Sequence, residues 1–262
     1  MKIQSEKRKL VAALACRNQG TRLYGKPMQN LHVEKKITVL DNIIACFDEI
    51  DCIDQIILGV AEGDENLSFC NYSSNNNLDY ITGDEEDVLQ RLILCGEKTN
   101  ATDILRVSSE SPFPHFEYIE AAWKHHIAKD IDATFLDNVI DGCGFEIIKL
   151  DALRESHING DDRHRSELCT LYIRENIDLF GVERLKVPEE FDRKDLRLTV
   201  DNPEDLIVCK AVYEYFSDCA PMIPVSKIIK FLDDNEFLVN LTLPFTELGY
   251  ESMNVWKKNE EE

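Results

Sequence analysis

At 262 residues, with 44% apolar and 30% charged side chains, the chain can bury a sizeable core as one large domain or a domain with an appendage. A formal net charge of −21 argues against a nucleic-acid polymer as partner, because Lys and Arg on phosphates supply most of that affinity. No apolar run reaches the roughly 18 residues of a spanning helix, so no membrane partner is expected.

The first nine residues lack the apolar stretch of a secretory signal, so a cytoplasmic location is expected. An apolar run, Leu10 to Ala15, predicts a strand over residues 9–15. It feeds Arg17-Asn18-Gln19-Gly20-Thr21-Arg22-Leu23-Tyr24-Gly25-Lys26, where cations and glycines follow the strand directly. A polyphosphate needs fixed positive charge and close backbone N–H groups, and this loop offers both. The pattern is neither Gly-x-x-x-x-Gly-Lys-Ser/Thr nor Gly-x-Gly-x-x-Gly, so a solvated basic turn is the competing reading.

Val39, Ile43, Ile44 and Phe47 carry helical spacing in a helix predicted over residues 37–50. A strand is expected at 55–60, a surface turn at Ser73 to Asn77, and a strand at 78–82. Gly83-Asp84-Glu85-Glu86-Asp87-Val88-Leu89-Gln90-Arg91 comes next, ahead of a helix over 86–97. Acidic residues there suit a helix N-terminus, and Asp87 with Arg91 has i,i+4 spacing.

A strand over 103–107 ends in Arg106-Val107-Ser108-Ser109-Glu110, closed by Pro112 and Pro114. Ligands of open α/β sheets collect at carboxyl ends of strands, which suits Glu110 to a metal as well as to a turn. A helix follows at 118–127, then short strands at 132–135 and 146–149 and a helix at 165–176. Leu196 to Val200 alternates into a last strand ending at Asp201, and Pro203 opens a helix reaching about Phe216. Glu110 and Asp201, from different strands, can share one Mg²⁺ and leave room for phosphate oxygens; a cap is the other use of Asp201. A further helix is expected at 226–235.

Alternating helices and strands predict an α/β fold, a mostly parallel mixed sheet with helices on both faces. The expected organisation is a domain over residues 1–220 with a helical extension over 221–262 packed on it. The nine scattered cysteines read as reduced, mostly buried thiols. His125, His126, His157 and His164 read as isolated surface histidines, and Trp123 and Phe116 as core.

In order and spacing these groups resemble the cytidylyltransferases that activate acidic sugars, most closely the spore-coat polysaccharide biosynthesis cytidylyltransferase-like branch. The resemblance runs from about Val11 to Phe216. The branch loop Arg-Met-Gly-Ser-Thr-Arg-Leu-Pro-Gly-Lys corresponds to Arg17–Lys26. Gly83 to Arg91 follows Gly-x-x-x-Asp-Val-Leu-x-Arg, and Leu196 to Leu206 follows Leu-Arg-Leu-Thr-Val-Asp-x-Pro-Glu-Asp-Leu. Glu146 and Glu167 correspond to expected acidic positions.

The resemblance implies a Rossmann-like nucleotide-diphospho-sugar transferase (GT-A) fold and a Mg²⁺-dependent nucleotidyl transfer from CTP, or another nucleoside triphosphate, to a sugar acid or sugar phosphate, in a homodimer. Arg17 and Lys26 would be catalytic through the triphosphate. Gly20, Thr21, Arg22, Gly83, Asp87, Arg91 and Arg106 would bind the nucleotide, Glu146 and Glu167 the sugar, and Glu110 and Asp201 the metal. Gln19-Gly20, Tyr24 and Glu110 depart from the pattern, which bears on the acceptor and the base more than on the fold. A guanylyltransferase for a hexosamine phosphate, a GT-A glycosyltransferase and a non-catalytic assembly protein are the alternatives.

Overall fold

Strand β1 (Leu10–Cys16) sends Leu10, Ala12, Leu14 and Cys16 into one apolar core and Val11 and Ala13 into another. A strand buried on both faces reads as a continuous apolar run, which is why it was legible. The computed structural model describes residues 7–20 and 22–253. After β1 come β2 (Asn30–His32), β3 (Ile37–Thr38), α1 (Val39–Asp48), β4 (Gln55–Ala61), α2 (Leu67–Asn75), β5 (Asp79–Gly83), α3 (Val88–Thr99) and β6 (Asp103–Arg106). Then follow α4 (Ile119–Ala128), β7 (Ala133–Leu136), β8 (Phe145–Lys149), α5 (Leu150–Asn159), α6 (Asp162–Arg165), α7 (Leu171–Glu175) and β9 (Val182–Arg184). The described chain ends through α8 (Pro203–Tyr215), α9 (Val225–Asp233) and α10 (Glu236–Met253).

The main sheet has seven strands in the order β5-β4-β1-β6-β8-β7-β9. Pairing is parallel from β5 through β6 and between β7 and β9, while β8 runs antiparallel to both neighbours. Helices α1, α4, α8 and α9 cover one face, and α3, α5 and α7 the other. Ile223, Val225, Ile228, Leu232 and Leu238 join the first core, so residues 223–238 pack on the body of the sheet, while residues 254–262 of the expected extension lie outside the described residues. This is the Rossmann-like α/β architecture expected.

Several local expectations are corrected. Residues 37–38 are a strand paired with β2 rather than the start of α1, whose N-cap Thr38 and Asp41 form a reciprocal capping box. Ser73 to Asn75 belong to α2, not to a turn. The helix expected at 165–176 is two short ones, α6 and α7, with Ser166 to Thr170 between them. Residues 196–200 are extended and buried, yet hold only a single bridge, Arg197 with Asp141, instead of a strand. His126 and His164 are buried: His126 lies between Thr134 and Asp103, and His164 between Asp161 and Glu175.

The extended segment at 196–200 is seated by a close backbone approach. Gly142 has φ +94°, and a Cβ there would lie 2.6 Å from the Leu198 carbonyl carbon and the Thr199 nitrogen. Gly142→Ala is expected to destabilise the protein by about 1–3 kcal/mol, seen as a lower urea midpoint. An unchanged midpoint would contradict this packing.

Candidate active site

Because β1, β4, β5 and β6 run parallel, the loops after them leave the same edge of the sheet. The loop after β1 is stiffened locally: Gly25 takes φ +59° and donates its N–H to Asn18 O at 2.8 Å. Asn18 is buried and bonded to Asn66, Glu65 and Ser68, which fixes the loop's base. A Cβ at Gly20 would lie 2.5 Å from Leu23 O and 3.3 Å from Lys26 Cε, so the loop is tight there.

This loop swings its cations toward carboxylates from distant segments. Lys26 Nζ donates to Asp201 Oδ1 at 2.5 Å, and Arg22 Nη2 lies 3.2 Å from the same oxygen. Arg17 pairs with Glu167 across the opening. Val200 donates its N–H to the Glu110 carbonyl at 2.9 Å, which sets the two candidate metal carboxylates on adjoining chain segments. Ser109 Oγ donates to Ala15 O at 2.7 Å and ties the Glu110 turn to the end of β1. Arg17, Lys26, Arg91, Arg106, Glu110 and Glu167 line one cleft.

Arg91 is buried beneath that cleft and donates to Cys16 O, Gly59 O and Glu85 O, bracing the ends of β1 and β4 against the loop before α3. Gly83 leaves room for its stem, since a Cβ there would meet Arg91 Cγ at 3.0 Å. Asp87 caps α3 by accepting from the Gln90 N–H and takes His157 on its other oxygen. Gly83 and Asp87 thus stand behind the cleft, and Arg91 bonds to Cys16, Gly59 and Glu85 rather than to Asp87. Thr21 lies outside the described residues.

Glu146 is buried behind Arg106, accepting from Arg106, Arg174 and Thr170 at 2.7–2.8 Å. Burial pushes its carboxyl up, but the guanidinium groups of Arg106 and Arg174 outweigh it and hold the group down at about 2. The sign follows: a depressed carboxylate gives stability that is present above its ordinary value of 4.5 and lost as pH falls toward about 2. In Glu146→Gln that acid-side loss is expected to flatten, as read from denaturant melts across the window. A wild-type slope in the variant would contradict the assignment. Glu167, by contrast, is exposed at the lip.

Asp201 belongs to a second network. Arg197 gives one nitrogen each to Asp141, Asp201 and Asp205, and Asp205 accepts the Asp201 and Asn202 N–H groups at the start of α8. Burial raises Asp201, but Lys26, Arg197 and Arg22 prevail and hold it below the usual carboxylate range. Burial pushes Asp141 up to about 6 against Arg197, helped by Asp201, Asp205 and Glu110. Arg174, Arg197, Asp141 and Asp205 were not singled out from the sequence, although Arg197 and Asp205 lie within the Leu196–Leu206 motif.

The donor set suits a small divalent cation. Glu110 and Asp201 offer hard oxygens, and among the described residues no cluster of three or more His, Cys, Asp or Glu forms a cage. An ion held here would complete its shell with phosphate oxygens and water. All nine cysteines are free, six of them buried. Among the described residues no helix is long and apolar enough to cross a membrane.

No family model matches the chain. The spore coat polysaccharide biosynthesis protein SpsF of Bacillus subtilis is 26% identical over 225 residues, 85% of this chain and 93% of that protein. A cytidylyltransferase from Leptospira borgpetersenii has a similar fold, with a TM-score of 0.80 at 18% identity, covering 89% of this chain and 97% of its own. A CMP:2-keto-3-deoxy-manno-octonic acid synthetase solved with CTP gives 0.59 at 12% identity, covering 79% and 99%. The sequence-level resemblance to the spore-coat branch and the fold expected from it both hold.

Proposed function

We propose that the chain is a cytidylyltransferase of the acidic-sugar-activating kind, transferring the cytidylyl group of CTP to a sugar acid or sugar phosphate, with release of pyrophosphate, for surface glycan synthesis. The observation that carries this reading is the convergence of Arg22 and Lys26 on Asp201, next to the Glu110 turn, at the carboxyl edge of the sheet. The likeness to SpsF and to the two cytidylyl enzymes supports it.

Arg17, Arg22 and Lys26 would take the triphosphate, with Arg91 and Arg106 bracing the floor and wall. Glu110 and Asp201 would hold a divalent cation, for which we propose Mg²⁺; when bound, it offsets phosphate charge and polarises the phosphate oxygens. The acceptor oxygen attacks the α-phosphorus in line, forming the new P–O bond as the bond to pyrophosphate breaks. Lys26 and Arg17 stabilise the charge gathering on the departing pyrophosphate, so no side-chain nucleophile is needed. The exposed Glu167 and the mouth beside Arg106 face the acceptor. The homodimer implied by the resemblance is part of this reading, as is the 221–262 segment as an appendage of one catalytic domain.

The test is pyrophosphate release from CTP, GTP, UTP and ATP, each with Mg²⁺ and a panel of nonulosonic acids and sugar phosphates. Release from CTP with an acidic sugar is expected. No release from any nucleotide, together with no thermal stabilisation by any of them, would overturn the reading and leave a non-catalytic role.

A further inference from the structure

The described cations of the loop after β1 are already matched, one by one, to carboxylates. Lys26 and Arg22 share Oδ1 of Asp201, while Arg17 takes Glu167. These partners differ in kind from Arg197, which holds the other oxygen of Asp201. The Arg197 side chain is 2% exposed and bound to three carboxylates, so it stays in place whatever enters the cleft. Lys26 and Arg22 are 18% and 51% exposed and sit on a loop, and Lys26 lines the cleft. Asp201 Oδ1 therefore stands where a phosphate oxygen would stand for them.

The geometry points to Lys26 and Arg22 as an internal cover over Asp201 Oδ1: a divalent cation gains that oxygen only when a triphosphate draws the two side chains away. The inference rests on the triphosphate reading of the loop. Its physical basis is simple. A dication approaching Oδ1 meets two positive groups at contact distance, and Asp201 has already spent its charge on them. A triphosphate offers the same cations several oxygens, releases Oδ1, and brings ligands of its own. Nucleotide and metal are then coupled, each favouring the other, and the coupling is reciprocal.

The test needs no nucleotide and no turnover. Mn²⁺ binding to the intact protein is followed by the loss of the free-ion electron paramagnetic resonance signal in wild type, Lys26→Met, Arg22→Met and Lys26→Met/Asp201→Asn. Wild type is expected to bind Mn²⁺ weakly. Lys26→Met is expected to bind it about tenfold tighter or more, within the usual range of couplings between sites. Arg22→Met gains less, because Arg22 is the more distant and more exposed partner, and the double variant returns to the weak wild-type affinity. Circular dichroism melts of the same samples confirm that each is folded. Equal Mn²⁺ affinity in wild type and Lys26→Met, or a gain that survives Asp201→Asn, would overturn the inference. Pyrophosphate release by the wild type separates the two ideas. An inactive wild type whose Lys26→Met variant gains Mn²⁺ keeps the cover and sinks the enzyme reading, and an active one without the gain does the reverse.

Discussion

Lys26→Ala is expected to lower turnover by about 10²-fold or more while leaving the melting temperature within a few degrees of wild type. The size follows from the role proposed for the side chain, a cation placed where charge builds as pyrophosphate leaves, which water replaces poorly. The small stability change follows from what remains. Asp201 keeps Arg197 and Arg22, so no carboxylate is left buried and unpaired. Steady-state kinetics on folded variant decide the matter. A loss in KM alone, with kcat intact, would mean that Lys26 serves ground-state binding only.

Arg197→Leu is expected to act on the fold instead, costing about 3–5 kcal/mol, because it removes the guanidinium shared by the carboxylates of a buried ion network. Asp141 and Asp205 are essentially inaccessible, and both would lose this guanidinium. The effect carries a pH signature. Without Arg197 the Asp141 carboxyl rises further, and a group raised in the folded state gives stability that is present below its unfolded value and lost as pH rises through the folded one. Asp141, already raised to about 6 with Arg197 present, goes higher. The deficit of the variant is therefore largest at neutral pH and above and shrinks toward about pH 4. Denaturant melts at several pH values measure it, and a deficit that is independent of pH would point to lost packing rather than lost charge pairing.

Much of the architecture was readable because the physics is local. Strand β1 is apolar throughout and β4 is so after its first residue, Gln55, as a sheet covered on both faces requires. The hairpin β2–β3 was missed since two- and three-residue strands leave no periodic signal. Helix α2 was missed because its Ser- and Asn-rich run reads as turn. Leu196, Leu198 and Val200 do alternate inward, but their neighbour is the Gly142 turn, which offers one bridge rather than a ladder. The cations of the loop and the carboxylates Glu110 and Asp201 were legible from charge and position alone. Their pairing was not: Lys26 and Asp201 are 175 residues apart, and only the folded sheet brings them together. Arg197 hid for a related reason, since a polar residue between two buried ones in an extended segment looks solvent-facing, and only its three acidic partners explain its burial.

The central claim is that a cationic loop and two carboxylates, Glu110 after β6 and Asp201 after the extended 196–200 segment, hold one metal-bound triphosphate. Crystals grown with Mn²⁺ and the non-hydrolysable α,β-methylene analogue of CTP, mapped by manganese anomalous scattering, test it most directly. The account predicts an anomalous peak between Glu110 and Asp201, with phosphates against Arg17, Arg22 and Lys26. A triphosphate bound away from that loop, or manganese touching neither carboxylate, would contradict it.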